Sequence, residues 1–192
     1  RDVVSVCTNE TAFRNAKPDA LIIANPTALH ATTLAHYSDL RIPVFIEKPM
    51  VSEGSEFSLL QTIDPELVMV GYCLRFHPII QTVKQMLDEA VAGKIFLTRL
   101  RAGHYLPQWH PYADYRQEYY SRQDLGGGAL RTLSHELDLM VHFFGTPQAF
   151  DGIAAKISDL SINVDDYVSI RAEYPFMRVD IELDFLSLES TR

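Results

Sequence analysis

Two textures alternate over the first seventy residues: short unbroken apolar runs, and stretches where apolar positions recur every three or four residues. Asp19–Ala24 (DALIIA), Pro43–Ile46 (PVFI) and Leu67–Gly71 (LVMVG) are near-continuous apolar runs, the pattern of strands buried on both faces of a parallel sheet. Asp2–Cys7 (DVVSVC) is a β-branched run that also predicts a strand. Helical spacing lies between them. Thr8 is the expected cap of a short helix with Thr11 and Ala12 in its first turn, Thr27 the cap of a helix from Ala28 to about Tyr37, and Ser52 the cap of a third with Ser55 and Glu56 in its first turns. Alternating strands and helices predict an α/β sheet with right-handed crossovers. Ligands of such sheets sit beyond the carboxyl ends of the strands. Asn25-Pro26-Thr27, Glu47-Lys48-Pro49 and Tyr72–Arg75 all fall there.

After Gly71 the pattern changes. Pro78 to about Ala92 has an apolar side made of Ile79, Ile80, Val83, Met86, Leu87 and Val91, and Gly93 stops it. Ile95–Tyr105 alternates in part and predicts a long strand, with Ile95, Leu97 and Leu100 inward. Leu106–Gln123 has no period and reads as an ordered loop, a length that in a compact fold usually serves function. Gly126–Gly128 then open one apolar-periodic helix through Ala129, Leu133, Leu137, Val141 and Phe144, closed by Gly145 and Pro147. The glycines are expected to let the backbone take positive φ and approach a ligand closely. Three further strands are predicted at about Gln148–Ile157, Asp165–Tyr174 and Met177–Phe185, with a tight turn at Tyr174-Pro175-Phe176. The fold class is therefore α/β: a partial Rossmann-type parallel sheet over residues 1–72, followed over 73–192 by an α+β domain with a mainly antiparallel open sheet.

Composition narrows the classes. The chain has 192 residues, 47% of them hydrophobic and 22% charged, enough for a sizeable core. A net charge of −8 argues against nucleic acid or an anionic membrane as the main partner. Cys7 and Cys73 are far apart and form no CxxC pattern, which suits a reduced, cytoplasmic setting. No run is apolar for about 18 residues, the length of a membrane-spanning helix. The chain starts at Arg1 without Met and stops just after the alternating Val179–Leu186, so a fragment is expected.

The candidate chemistry sits in these clusters. Lys48 at a strand end could hold a hydroxyl or a ribose and support proton transfer, against the plainer reading of a solvated Glu-Lys turn. Arg75 could fork onto a carboxylate or a polar sugar, or be salt-bridged across the junction of the two halves. Tyr105, Trp109, His110, Tyr112, Tyr115, Arg116, Tyr119 and Tyr120 gather aromatic and basic groups suited to a sugar, or to a packed surface loop. His135 is the candidate for proton exchange near neutral pH. Zinc is a poor reading: His135-Glu136 has Leu139 where HExxH needs a second His. Neither GxGxxG nor a P-loop occurs.

Four ordered motifs together resemble the Gfo/Idh/MocA family (glucose-fructose oxidoreductase, inositol dehydrogenase, rhizopine catabolism). They are Ala24-Asn25-Pro26-Thr27 with His30; Val44–Met50, which resembles the family's EKP motif; Gly71–Pro78 (GYCLRFHP); and Gly126–Asp138 (GGGALRTLSHELD). The resemblance implies an oxidoreductase that uses NAD or NADP and passes a hydride between nicotinamide and a sugar, nucleotide sugar or polyol carbon. It implies that Lys48 and His135 are catalytic, that Asn25, Pro26, Thr27, His30, Glu47 and Lys48 line the cofactor, and that Arg75, Tyr105, Trp109 and Arg116 face substrate. The SHELD form and the Tyr105–Arg116 loop look closest to members acting on nucleotide sugars or sialic-acid-like sugars. A homodimer or homotetramer pairing through the second-domain sheet is implied as well. A non-catalytic sensor of sugar or dinucleotide on the same fold is the alternative. The family's GxGxxG segment lies outside these residues, and many members carry an Asp four residues before the His, where this chain has Arg131. An Arg there is expected to oppose protonation of the imidazole and leave its orientation to Glu136 or another residue.

Overall fold

The computed structural model describes residues 6–192. The strand expected over Asp2–Cys7 lies mostly outside that range, and Val6 and Cys7 belong to no strand. Helix α1 (Glu10–Asn15) is capped by Asn9, whose side chain accepts from the Ala12 amide, and not by Thr8. Strand β1 (Leu21–Ile23) follows. Thr27 caps nothing; it begins a 3-10 turn that leads into α2 (His30–His36). Strand β2 (Val44–Ile46) comes next. The helix expected after Ser52 is a 3-10 segment, Gly54–Leu60, whose Glu56 carboxylate accepts from the Ser52 and Glu53 amides and the Ser52 hydroxyl. Strand β3 (Val68–Val70) completes a parallel sheet in the order β1-β2-β3, with Ile23, Ile46 and Val70 in cross-strand register. One face of this sheet packs Leu34 of α2 against Ile23, Val44 and Ile46. Strand order and direction put the residues after β1, β2 and β3 on a single rim.

Helix α3 (Pro78–Asp88) is shorter than its apolar spacing predicts, and the chain turns away through Ala90 and Gly93, both at positive φ. Strand β4 (Leu97–Gly103) buries Ala102 and half-buries Thr98 and Leu100; of the residues expected inward, Leu100 is half-buried within the strand and Ile95 just ahead of it, while Leu97 is exposed. The Leu106–Gln123 loop contains α4 (Leu106–Trp109) and 3-10 turns at Tyr115–Gln117 and Tyr119–Ser121. The expected single helix after the glycines is two: α5 (Ala129–Thr132) and α6 (His135–Phe144), broken at Leu133 and Ser134. Strands β5 (Ala149–Ala155), β6 (Tyr167–Glu173) and β7 (Arg178–Asp184) form the second sheet in the order β4-β7-β6-β5. Its β5-β6 and β6-β7 pairings are antiparallel and β4-β7 is parallel. Ala102, Val168, Ala172, Val179, Ile181 and Leu183 line the face that packs against Ala129, Leu133 and Met140 of α5 and α6. The other face carries ion pairs such as Arg171–Asp180 and Arg178–Glu173.

The three glycines reach positive φ at Gly126 and Gly128, as expected, but their close approach is to the chain itself. A side chain at Gly126 would strike Thr27 and Ala28, so the turn before α5 is pressed against the residues after β1. Asp165 then caps α5, its carboxylate accepting from the Leu130 amide at 2.8 Å.

Candidate active site

The rim is built by short polar contacts between segments distant in sequence. His30, buried at the start of α2, sets Nδ1 2.7 Å from the Pro49 carbonyl and Nε2 2.9 Å from the Asn25 carbonyl. One ring thereby ties the loop after β1 to the turn after β2, where the Lys48–Pro49 peptide is cis. Asn25 donates from its amide to Thr33 at 2.9 Å, and its Oδ1 is buried without a protein partner. Asn25, Pro26, Thr27, His30, Glu47 and Lys48 line one open cleft of about 290 Å³ together with Tyr119. In the sequence Tyr119 is only one of a group of aromatic and basic residues suited to a sugar, and not a residue expected at the cofactor. It lay inside an aromatic-rich loop, with nothing local to distinguish it from seven neighbours.

Lys48 leaves that cleft toward the second sheet's helices. Its Nζ donates to the Thr132 carbonyl at 2.5 Å. In an unbroken helix that carbonyl would accept from the Glu136 amide four residues on. The break at Leu133 and Ser134 releases it for the ammonium, and His135 starts the next helix just beyond. The two candidate catalytic groups, 87 positions apart in sequence, are brought together in this way. The lysine bears on the imidazole. Burial lowers the Lys48 pKa. Burial first, then the Lys48 ammonium and the Arg192 guanidinium, hold His135 down to about 4. Tyr72 meets the imidazole edge-on, with ring centroids 5.9 Å apart. The Nδ1 of His135 is buried with no partner.

Arg131 does not act as expected. It donates from Nε to the Ser52 carbonyl at 2.7 Å and from Nη1 to the Gly127 carbonyl at 3.1 Å, so it links the two halves. The charges that disfavour imidazolium come from Lys48 and Arg192. Arg75 takes the junction arrangement: its Nε and Nη2 fork onto buried Asp138 at 2.8 and 2.6 Å, which raises the Arg75 pKa and joins the segment after β3 to α6. Trp109 stacks on His104 at 4.9 Å with the rings 3° from parallel, and packs against the second core. Tyr105 sits half-buried just ahead of α4. Arg116 forks onto Asp114 and lines a separate shallow groove with Gln117, Ser121 and Arg122. Of the residues expected to face substrate, then, only Arg75 makes its contact on α6, the helix that carries His135. Among the described residues no group of three His, Cys, Asp or Glu side chains is placed to hold a metal ion. Among the described residues no helix is long and apolar enough to cross a membrane.

Residues 80–190 match the GFO/IDH/MocA C-terminal domain. The chain belongs to the GFO/IDH/MocA family. Among curated relatives, inositol 2-dehydrogenase of Corynebacterium glutamicum (strain R) is 29% identical over 94 residues, 47% of this chain and 28% of that protein. The WlbA dehydrogenase of Bordetella pertussis, solved with NADH and UDP-GlcNAcA, superimposes with a TM-score of 0.76 at 21% identity, covering 91% of this chain and 51% of that one. An oxidoreductase of Agrobacterium radiobacter, solved with NAD+, L-tartaric acid and magnesium, gives a TM-score of 0.77 at 18% identity, covering 96% and 53%. These likenesses show that the α/β fold is shared. The chain spans about a third of the length of the curated relatives it matches.

Proposed function

We propose that this chain is part of an NAD- or NADP-dependent oxidoreductase that moves a hydride between nicotinamide and a carbon of a sugar, nucleotide sugar or polyol. Residues 1–72 would belong to the dinucleotide-binding domain and 73–192 would form the substrate and assembly domain. The observation that carries this reading is Lys48 anchored on the Thr132 carbonyl, at the helix break just ahead of His135 and at the edge of the Asn25–Lys48 cleft, close enough to hold the imidazole pKa down. The cleft fits the nicotinamide end of the cofactor: it lies beyond the strand carboxyl ends, and Asn25 Oδ1 has no protein partner. Asn25, Pro26, Thr27, His30, Glu47 and Lys48 would hold that end, with Tyr119 closing one side. When bound, nicotinamide supplies or accepts the hydride.

The protein groups do the rest. Lys48, anchored on the Thr132 carbonyl, has further ammonium protons with which to hold the reacting oxygen and stabilise negative charge developing on it. His135 is neutral at pH 7 and can accept a proton from that oxygen. With Nδ1 sealed inside, the exchange falls to Nε2. Pairing into a homodimer or homotetramer would use the ion-paired outer face of the second sheet. The alternative, a non-catalytic sensor, draws on one observation: an imidazole held down to about 4 is a weak base.

Binding of NADH and NADPH followed by nicotinamide fluorescence, then hydride transfer against a panel of sugars and polyols, tests the reading in the whole protein. Lys48→Met and His135→Ala are expected to lower turnover by roughly 10²–10⁴-fold each, with cofactor binding left in place in His135→Ala and weakened in Lys48→Met. Near-normal turnover in both variants would overturn the assignment. Cofactor binding with no hydride transfer to any substrate would move the protein to the sensing class.

A further inference from the structure

One buried charged pair beside the site is used by none of these steps. Glu136, the residue after His135, is 1% exposed. Its carboxylate accepts from Arg192 Nε at 2.7 Å and Nη2 at 3.4 Å. Arg192 reaches it from an extended strap on the free edge of β4. Thr191 and Gly103 exchange both backbone hydrogen bonds, at 3.0 and 3.1 Å, and His104 Nδ1 lies 2.9 Å from the Ser190 hydroxyl. The strap is therefore fixed at two successive residues before the guanidinium meets the first turn of α6.

We propose that Arg192, held on Glu136 from the edge of β4, is a positioning residue of the Lys48–His135 pair: it locks the first turn of α6, and with it the imidazole, and sets a second cation beside the ring. This deepens the oxidoreductase reading and rests on it for its catalytic meaning. Two facts support it. A carboxylate this deeply buried keeps its charge only with a partner; burial pushes the Glu136 pKa up and Arg192 offsets part of that rise. The guanidinium also acts beyond Glu136, since it lowers both Lys48 and His135. The charged and titratable groups acting on His135 are Lys48 from the turn after β2, Tyr72 from the segment after β3, Asp138 from its own helix, and Arg192 from the strap. Asp138 is forked by Arg75, which leaves Arg192 and Lys48 as the cations that disfavour imidazolium.

The test is an NMR titration of the His135 ring in the 192-residue chain, without substrate or cofactor. Arg192→Gln is expected to raise the His135 midpoint by on the order of half a pH unit. Arg192→Lys, which keeps the charge on the strap, should recover at least about half of that shift. An unmoved midpoint in a folded Arg192→Gln chain, or a Lys variant displaced as far as the Gln variant, overturns the proposal. Should Arg192→Gln fail to fold, Glu136→Gln is read instead. It leaves the guanidinium without its counter-charge, so the midpoint should fall, and no movement there also overturns the proposal. Because the titration involves no catalysis, a flat result sinks this inference and leaves the oxidoreductase reading intact. Absence of hydride transfer in the whole protein does the reverse.

Discussion

A neutral His135 has a consequence for stability as well as for chemistry. Its folded midpoint is about 4 and an ordinary imidazole titrates near 6.5, so between those values the unfolded chain binds the extra proton. The stability it contributes is complete above pH 6.5 and is lost as pH falls toward 4. The loss by pH 4 is on the order of 1–3 kcal/mol, the lower part of that range reflecting solvent screening of a partly solvated ring. Urea unfolding at pH 7 and at pH 4.5 should show a steeper fall for the natural chain than for His135→Gln; parallel falls would count against the buried, cation-faced imidazole. Arg75→Ala removes the partner of buried Asp138 and is expected to cost about 1–3 kcal/mol, less than for a fully buried pair because Arg75 is partly solvated. Adding Asp138→Asn to Arg75→Ala should return part of that cost, a double-mutant cycle being the measurement. At this scale the sequence was informative about residue type but not about contact. Lys48 and His135 were legible because an EKP turn and a glycine-helix motif each carry one chemistry-bearing side chain. Tyr72 and Tyr119 were legible only as members of a strand-end cluster and an aromatic loop, and Arg192 not at all, because each reaches the site across a fold that no local pattern records.

The helix after the glycines shows why elements are harder to read than residues. Its apolar spacing runs unbroken from Ala129 to Phe144, so the sequence predicts one helix. The break at Leu133 and Ser134 has neither glycine nor proline to announce it. It accompanies a tertiary contact, the Lys48 ammonium on the Thr132 carbonyl. The glycine turn was legible as a turn, and its positive φ values were as expected. Its neighbours were not, for they come from Thr27, Tyr119 and Asp165. Gly127 gives the clearest test, since a methyl there would lie 2.4 Å from the Tyr119 carbonyl and 2.6 Å from that of Tyr120. Gly127→Ala is expected to destabilise the chain by about 2–4 kcal/mol. Gly54→Ala, with nothing within 4 Å of the new methyl, should change stability by less than about 0.5 kcal/mol. Equal thermal midpoints for the two variants would contradict the close packing of the turn.

Across the whole molecule, one face of the first sheet is unlike the other. Ile22, Phe45 and Met69 are cross-strand neighbours, and Ile22 is 72% and Met69 47% exposed. Parallel sheets are normally covered on both faces, and exposed apolar patches promote association. Light scattering of the 192-residue chain should therefore show concentration-dependent association that Ile22→Ser with Met69→Ser reduces; unchanged association would place the contact elsewhere. By itself the sequence determined the alternation of apolar strands and helical segments, and so the parallel sheet with its polar rim, but not that one face of that sheet is left exposed. It also determined the change of texture after Gly71, and the residue types able to bind a hydroxyl and exchange a proton. These are short-range properties, written in the period of apolar positions and in a few turn residues. Only the tertiary structure decided that β4 lies parallel to β7, that the helix breaks where Lys48 meets the Thr132 carbonyl, that Arg75 is taken up by Asp138, and that Arg192 reaches the residue after His135. Those outcomes depend on which buried charges and released carbonyls can satisfy one another in three dimensions, a matching that spacing along the chain does not encode.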